Sequence, residues 1–282
     1  MLLDSCARKI EYLRLSLTDL CNIRCEYCMP LEGIFRIPKN EVMTFEEIVR
    51  MVRLLSPLGI KRVRLTGGEP LVRKDLVWLI RELKKINSLD EVLLTTNGIL
   101  LKHLAHDLKD AGLDRINVHL DTLDAERFRQ ITRLGDIQKV FEGLQAAKLA
   151  KFSPIKINMV IQKGINDDEV EAMLRYCAAE GFILRLIEMM PIGPGRDLQD
   201  RSLSLGDIRQ NLSEKYSLKS FHDILGKGPA RYEWVSELKT PIGFITPLSA
   251  LFAIVVIVSA CRVMEGFRIV WLMMGVFLLE IF

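Results

Sequence analysis

The stretch LRLSLTDLCNIRCEYCMP, residues 13–30, joins two kinds of pattern. Its first half alternates apolar and polar residues like a strand, and its second half packs Cys21, Cys25 and Cys28 into the spacing C-x3-C-x2-C. A strand that runs straight into a metal-type cysteine loop is the plan of a parallel α/β protein, whose functional loops follow the carboxyl ends of strands. Close cysteine spacing lets one loop wrap a metal, and thiolates bind zinc or iron–sulfur clusters. Three cysteines on a 4Fe–4S cluster leave one iron without a protein ligand, open to nitrogen and oxygen donors of a further molecule. A structural zinc site with a remote fourth ligand is the competing reading, with His103, His106, His119 and His222 as the available imidazoles.

The pattern continues outward from this stretch. Strands are expected at 12–18, 62–66, 91–96, 115–121, 154–162 and 183–188, several of them nearly continuous apolar runs of the kind covered by helices. Helical periodicity fills 44–58, 71–86, 99–111, 137–150 and 167–180. Thr44 and Glu47 have the spacing of a capping box, and Gly59, Gly112 and Gly181 fall just past expected helix ends. Six β-α units imply a parallel sheet, open or curled into a partial barrel. GGEP (67–70), TNG (96–98), DT (121–122), KGIND (163–167) and MMPIGPG (189–195) then share one face with the cysteine loop. For TNG and DT alone ordinary turn composition suffices. Six unusual loops on one face indicate a site. Met51 and Trp78 read as core residues, and Arg73 and Lys74 as decoration of a helix start.

The 282 residues carry a net charge of +3, too small for non-specific nucleic-acid binding. The six cysteines form no secreted-type framework, and the N-terminus has no apolar signal core, so a reduced, cytoplasmic setting is expected. Strand alternation places Arg62 and Arg64 on one face, Arg14 lies on the neighbouring strand, and Lys156 and Arg185 come from later ones. If those faces point into a barrel, five cations with no nearby carboxylate run need an anion.

Beside the cysteine motif, the stretches IPKNEVMTFEEI, GIKRVRLTGGEPLVRKDL, LLTTNGILL, AGLDRINVHLDTLD, KINMVIQKGINDDE, RLIEMMPIG and GFITPLS carry a resemblance to the radical S-adenosylmethionine superfamily. Within it the chain resembles the GTP 3',8-cyclases of molybdenum cofactor biosynthesis (the protein A family of that pathway). The resemblance implies a partial (β/α)6 TIM-type barrel over 1–192, the start of a second-cluster region over 193–247 and an atypical apolar tail over 248–282. It implies reductive cleavage of S-adenosylmethionine to a 5′-deoxyadenosyl radical, which takes a hydrogen from the ribose of GTP. The product leads to cyclic pyranopterin monophosphate, with the downstream pyranopterin-forming protein as a partner. By motif match Cys21, Cys25 and Cys28 hold the 4Fe–4S cluster, and Tyr27, Gly68 and Met190 line the S-adenosylmethionine site. His119 stands where the family usually has a serine contacting that cofactor. Arg14, Arg64, Thr95 and Lys156 match GTP contacts, with Arg62 and Arg185 as further phosphate partners. No nucleic acid or membrane partner is expected, and a homodimer is left open.

From Pro247 onward the composition changes: 27 of the last 36 residues are apolar, and Arg262, Glu265, Arg268 and Glu280 are the charged ones. The family continues here with a second C-x2-C-x13-C cluster site, whose ligands this sequence does not carry. Read one base out of frame, Ala253, Val256 and Val270 permit cysteines at that spacing, within a run F-C-N-R-C-N-R-L-R. Two readings therefore compete, a genuine hydrophobic extension and a single-nucleotide frameshift near 249–252 with premature termination. The charges divide the tail into runs too short for a spanning helix of about 20 residues. The expected outcome is one cluster per chain with little or no GTP cyclisation. A single-cluster enzyme with another substrate, or a zinc-binding or membrane-associated non-enzyme, are the alternatives.

Overall fold

The computed structural model describes residues 2–3, 8–33, 38–191, 193–221, 229–246, 255–259, 262–263 and 266–267. Cys6, Cys261 and His222, residues 34–37, and most of the tail, including positions 249–252 where the frameshift was placed, lie outside them.

The strands are β1 (Tyr12–Ser16), β2 (Arg62–Thr66), β3 (Glu91–Thr96), β4 (Arg115–His119), β5 (Lys156–Ile161) and β6 (Ile183–Glu188). They pair in sequence order, all parallel. Helices α1 (Phe45–Leu55), α2 (Leu76–Lys84), α3 (Leu101–Asp110), α4 (Ala125–Thr132), α5 (Ile137–Leu149) and α6 (Val170–Glu180) fill the connections. Period-two alternation divides each strand. Leu13, Leu15, Val63, Leu65, Val92, Leu94, Ile116, Val118, Ile157, Met159, Leu184 and Leu186 are fully buried in the one hydrophobic core. The alternate positions carry the polar set: Arg14, Arg64, Thr95, Asn117, Lys156, Asn158 and Arg185.

The expected capping box forms, with Glu47 N donating to Thr44 Oγ1 and Thr44 N to the Glu47 carboxylate. The three expected glycines past helix ends all take positive φ. Helix α2 begins at Leu76 rather than 71, because Glu69 accepts from Leu71 N and bends residues 70–72 into a 3-10 turn. Trp78 is 38% exposed, so its reading as a core residue is corrected. Its spacing is helical, but the stripe it shares faces outward.

Beyond β6 the chain adds α7 (Leu205–Ser213), β7 (Leu218–Ser220), β8 (Arg231–Val235) and β9 (Thr240–Ile245), none of which periodicity had marked. β9 pairs parallel with β6, and β8 and β7 follow antiparallel. The backbone of β10 (Val255–Ser259) lies parallel to β1 at the opposite edge.

The sheet is curled. Neighbouring strands are about 4.8 Å apart, so β1 and β4 would stand roughly 14 Å apart if flat. Yet the inward side chains of Arg64 on β2 and Arg185 on β6 meet on Asn117 of β4, and Arg185 also feels the charge of Tyr12 on β1, five strands away. A rolled sheet brings those strands together, and the polar face is the inside of the roll.

Candidate active site

The cysteine loop at the carboxyl end of β1 has no regular structure, so its shape comes from ties to its neighbours. Arg24 donates to Cys21 O and Ile23 O, and Arg133 donates to Met29 O. Arg24 N and Glu26 N bond to carbonyls at the end of α4. Arg73 is no mere helix decoration: it donates to Leu17 O and Met43 O and stacks on Phe45.

Gly67 and Gly68 press against this loop. Gly68 N donates to Thr18 O and Glu69 N to Leu20 O, and a Cβ on Gly68 would stand 2.3 Å from Leu20 O. The glycines thus permit close approach of the two loop backbones. Glu69 behind them is buried, accepting from Thr96 Oγ1 and Asn97 N as well as Leu71 N. Burial pushes its carboxyl up against those hydrogen bonds. Substituting Gly68→Ala is expected to displace the Leu20 carbonyl and cost about 1–3 kcal/mol. A parental thermal midpoint together with parental iron uptake would contradict that account.

Cys21, Cys25 and Cys28 are free thiols. Burial is the first cause raising all three, and Cys25 also feels the charges of Asp121, Cys28 and Cys21. Cys28 N and Met29 N both donate to Cys25 O, folding Cys25–Cys28 into a turn. As placed, no three or more His, Cys, Asp or Glu side chains converge in metal-holding geometry among the described residues. The donor chemistry nevertheless fits an iron–sulfur cluster: three thiols on one loop, Cys25 buried, Cys21 half-buried and Cys28 exposed, lie within electrostatic reach of one another, and as thiolates they would repel without cationic iron between them. Zinc completed by histidine is less well served. His103 and His106 are exposed on α3, and His119 is engaged elsewhere.

Asn97, in the TNG stretch that turn composition alone explained, lies beside the thiols. Its amide donates to Asn22 Oδ1 at 2.7 Å and reaches Cys21 Sγ at 3.9 Å. Tyr27, between Cys25 and Cys28, points its hydroxyl at His119 Nε2 (2.5 Å) and Asp121 Oδ2 (2.7 Å). Met190 is half-buried in the loop after β6, and Gly195 packs under its carbonyl and that of Tyr27.

Deeper in the roll lies a cationic hollow. Arg64 donates to Tyr12 Oη, Leu94 O and Thr95 Oγ1. Arg185 is buried and donates to Asn158 Oδ1. With its amide oxygen turned inward, Asn117 accepts from Arg64 at 2.9 Å and from Arg185 at 2.6 Å. Lys156 Nζ donates to Tyr232 Oη at 3.0 Å, and Gly243 leaves room for that ring beside Arg185. Arg14 is exposed, and its pKa is lowered by the protein crowded around it and then by Arg64, which puts it beside the buried cations at the open edge of the group. The same crowding brings Lys156 down to about 7, through burial first and then Arg185, Arg115 and Arg64.

Arg62 stands apart from this group. It is ion-paired with Glu91 at 3.0 Å and Glu11 at 3.7 Å, and Glu91 also holds Arg115 at 2.5 Å. The expectation of five cations without a carboxylate neighbour therefore reduces to four: Arg14, Arg64, Lys156 and Arg185. Asn117, Asn158 and Tyr232 were missed. The two asparagines lie at inward positions of recognised strands, whereas Tyr232 sits on a strand with no legible pattern.

A curled parallel sheet with a three-cysteine loop at its first carboxyl end defines a class, and the comparisons agree with it. The family described as the Radical SAM superfamily matches residues 15–177. Streptococcus suis SuiB bound to S-adenosylmethionine superposes with a TM-score of 0.60 at 16% identity, over 84% of this chain and 47% of that one. Escherichia coli coproporphyrinogen III oxidase, a radical SAM enzyme, gives 0.54 at 14% identity, over 73% of this chain and 51% of that one. The chain belongs to the radical SAM superfamily.

Among curated relatives, the GTP 3',8-cyclase of Moorella thermoacetica is 44% identical over 249 residues, 88% of this chain and 77% of that protein. That of Thermodesulfovibrio yellowstonii is 42% identical over 247 residues, 87% of this chain and 77% of that protein. Within the superfamily, then, this is a member of the GTP 3',8-cyclase family.

Proposed function

We propose that this chain is a radical S-adenosylmethionine protein of molybdenum cofactor biosynthesis, of the family that converts GTP to (8S)-3',8-cyclo-7,8-dihydroguanosine 5'-triphosphate, and that without the second-cluster ligands it binds GTP and cleaves S-adenosylmethionine but cyclises little or no GTP. The observation that carries this reading is one continuous inner face, with thiols at its mouth and a cationic hollow beneath. Cys21, Cys25 and Cys28 would hold the 4Fe–4S cluster, with S-adenosylmethionine beside Tyr27, Gly68, His119 and Met190. Together, when bound, these groups supply the carbon radical that takes a hydrogen atom from the substrate ribose.

The chain's own residues orient and enclose. Arg14, Arg64, Lys156 and Arg185 receive the triphosphate, with Thr95 at the hollow's wall. Charge-assisted hydrogen bonds to phosphate are the strong ones, and two of these cations, Lys156 and Arg185, are buried. Asn117 and Asn158 hold the two central guanidiniums with neutral oxygens, which fixes their direction without cancelling their charge. Arg62 is spoken for by Glu91 and is left outside the phosphate site. Glu69 braces the wall between the Gly-Gly turn and Asn97. No helix among the described residues is long and apolar enough to cross a membrane.

The test is anaerobic reconstitution with iron and sulfide, then incubation with S-adenosylmethionine, reductant and GTP, reading 5′-deoxyadenosine and cyclised nucleotide separately. Deoxyadenosine formation that rises on adding GTP is expected. A reconstituted chain that yields none would overturn the reading.

A further inference from the structure

Tyr27 and His119, placed above beside S-adenosylmethionine, also form with Asp121 a closed triangle whose hydrogen bonds that reading does not use. Tyr27 Oη lies 2.7 Å from Asp121 Oδ2, His119 Nε2 lies 2.8 Å from the same oxygen, and the phenol and imidazole are 2.5 Å apart. The other carboxylate oxygen, Asp121 Oδ1, accepts from Val160 N of β5 at 2.7 Å, and Asp121 is 1% exposed. The carboxylate is therefore aimed by strand backbone before any side chain reaches it.

Counting protons assigns the roles. The phenol has one hydrogen, donated to Oδ2. Both atoms facing His119 Nε2 are then acceptors, the carboxylate oxygen and the phenol oxygen, so Nε2 must carry a proton. The imidazole braces the tyrosine–aspartate pair from the side.

We infer that Asp121 and His119 are positioning residues, a latch that holds Tyr27 and thereby keeps the Cys25–Cys28 turn in its receptive shape before iron arrives. Tyr27 lies inside that turn, and the latch ties it to the ends of β4 and β5 across the roll. A loop without regular structure loses conformational entropy when it closes on a metal, and a pre-formed turn has already lost it. The inference rests on the reading that Cys25 and Cys28 are cluster ligands, but its first readout does not.

Amide hydrogen exchange on the metal-free full chain tests the latch itself. In Tyr27→Phe and in His119→Leu, exchange at residues 25–29 should rise about tenfold or more, with β2 and α3 unchanged. His119→Gln, whose amide can still donate to Asp121, should restore most of the protection. Iron and sulfide uptake should slow several-fold in the first two variants and recover in the third. Parental protection in both Tyr27→Phe and His119→Leu would overturn the latch, as would loss spread evenly over the barrel. If exchange responds as expected but the parent takes up zinc without sulfide, the latch stands and the cluster reading fails.

Discussion

Replacing Cys25 with serine is expected to reduce iron and sulfide content, and with it S-adenosylmethionine cleavage, to the background of a chain reconstituted without iron. Cys25 is the buried member of the three, its carbonyl opens the Cys25–Cys28 turn, and the other two thiols are within its electrostatic reach. A serine hydroxyl is both harder and far less acidic than a thiol, so it does not replace a thiolate on iron. Two remaining cysteines would leave a second iron without a protein ligand. Cys177 supplies the control. It is buried in α6 and its thiol is pushed far up by burial alone, the environment of an inert core cysteine. Cys177→Ala should load iron and sulfide as the parent does. If Cys25→Ser also loads fully, the cysteine loop is not the cluster site.

Lys156→Met should weaken triphosphate binding by roughly 10- to 150-fold, the cost of about 1.5–3 kcal/mol for a lost hydrogen bond to a charged group. Its effect on the nucleotide-free chain has the opposite sign. The pKa of Lys156 falls from 10.5 to about 7 on folding, so between those values the unfolded chain holds the extra proton. Stability therefore rises with pH across that window, and the full cost of the buried ammonium is felt below about pH 7. Lys156→Met removes that cost. It should be the more stable chain at pH 6.5, with the difference narrowing by pH 9. A bound triphosphate favours the ammonium, so nucleotide binding takes up a proton. Parental affinity should fall with rising pH above 7, by at most about tenfold per unit. Urea unfolding and calorimetry in buffers of different ionisation enthalpy read both effects. Should parent and variant respond alike to pH, Lys156 does not face the anion.

The fold was legible because its signals are local. β2, β3 and β6 fall at the expected residues, since apolar alternation and flanking turns are written within a few positions of each other. Helix α2 was misjudged at its start because Glu69 is recruited by Asn97 and Thr96, residues some 27 positions away. The short strands β7 and β8 carry too few buried residues to show a period, and they hold because β9 offers an edge.

The site divides along the same line. Spacing alone picked out the three cysteines, since ligands on one loop must be close in sequence. Arg64 and Arg185 could be guessed from strand alternation, but Arg62, two residues from Arg64 and on the same face, went to Glu91 instead. Alternation says which side of a strand a residue faces and nothing about what waits there.

What the sequence by itself determined is the parallel order of strands and helices, the cysteine loop and the family, all products of short-range pattern. Only the tertiary structure decided which cations share the hollow, that Gly68 meets Leu20, and that Tyr27 closes on His119 and Asp121. Those contacts join residues up to about a hundred positions apart, and rolling the sheet is what brings them within hydrogen-bond reach.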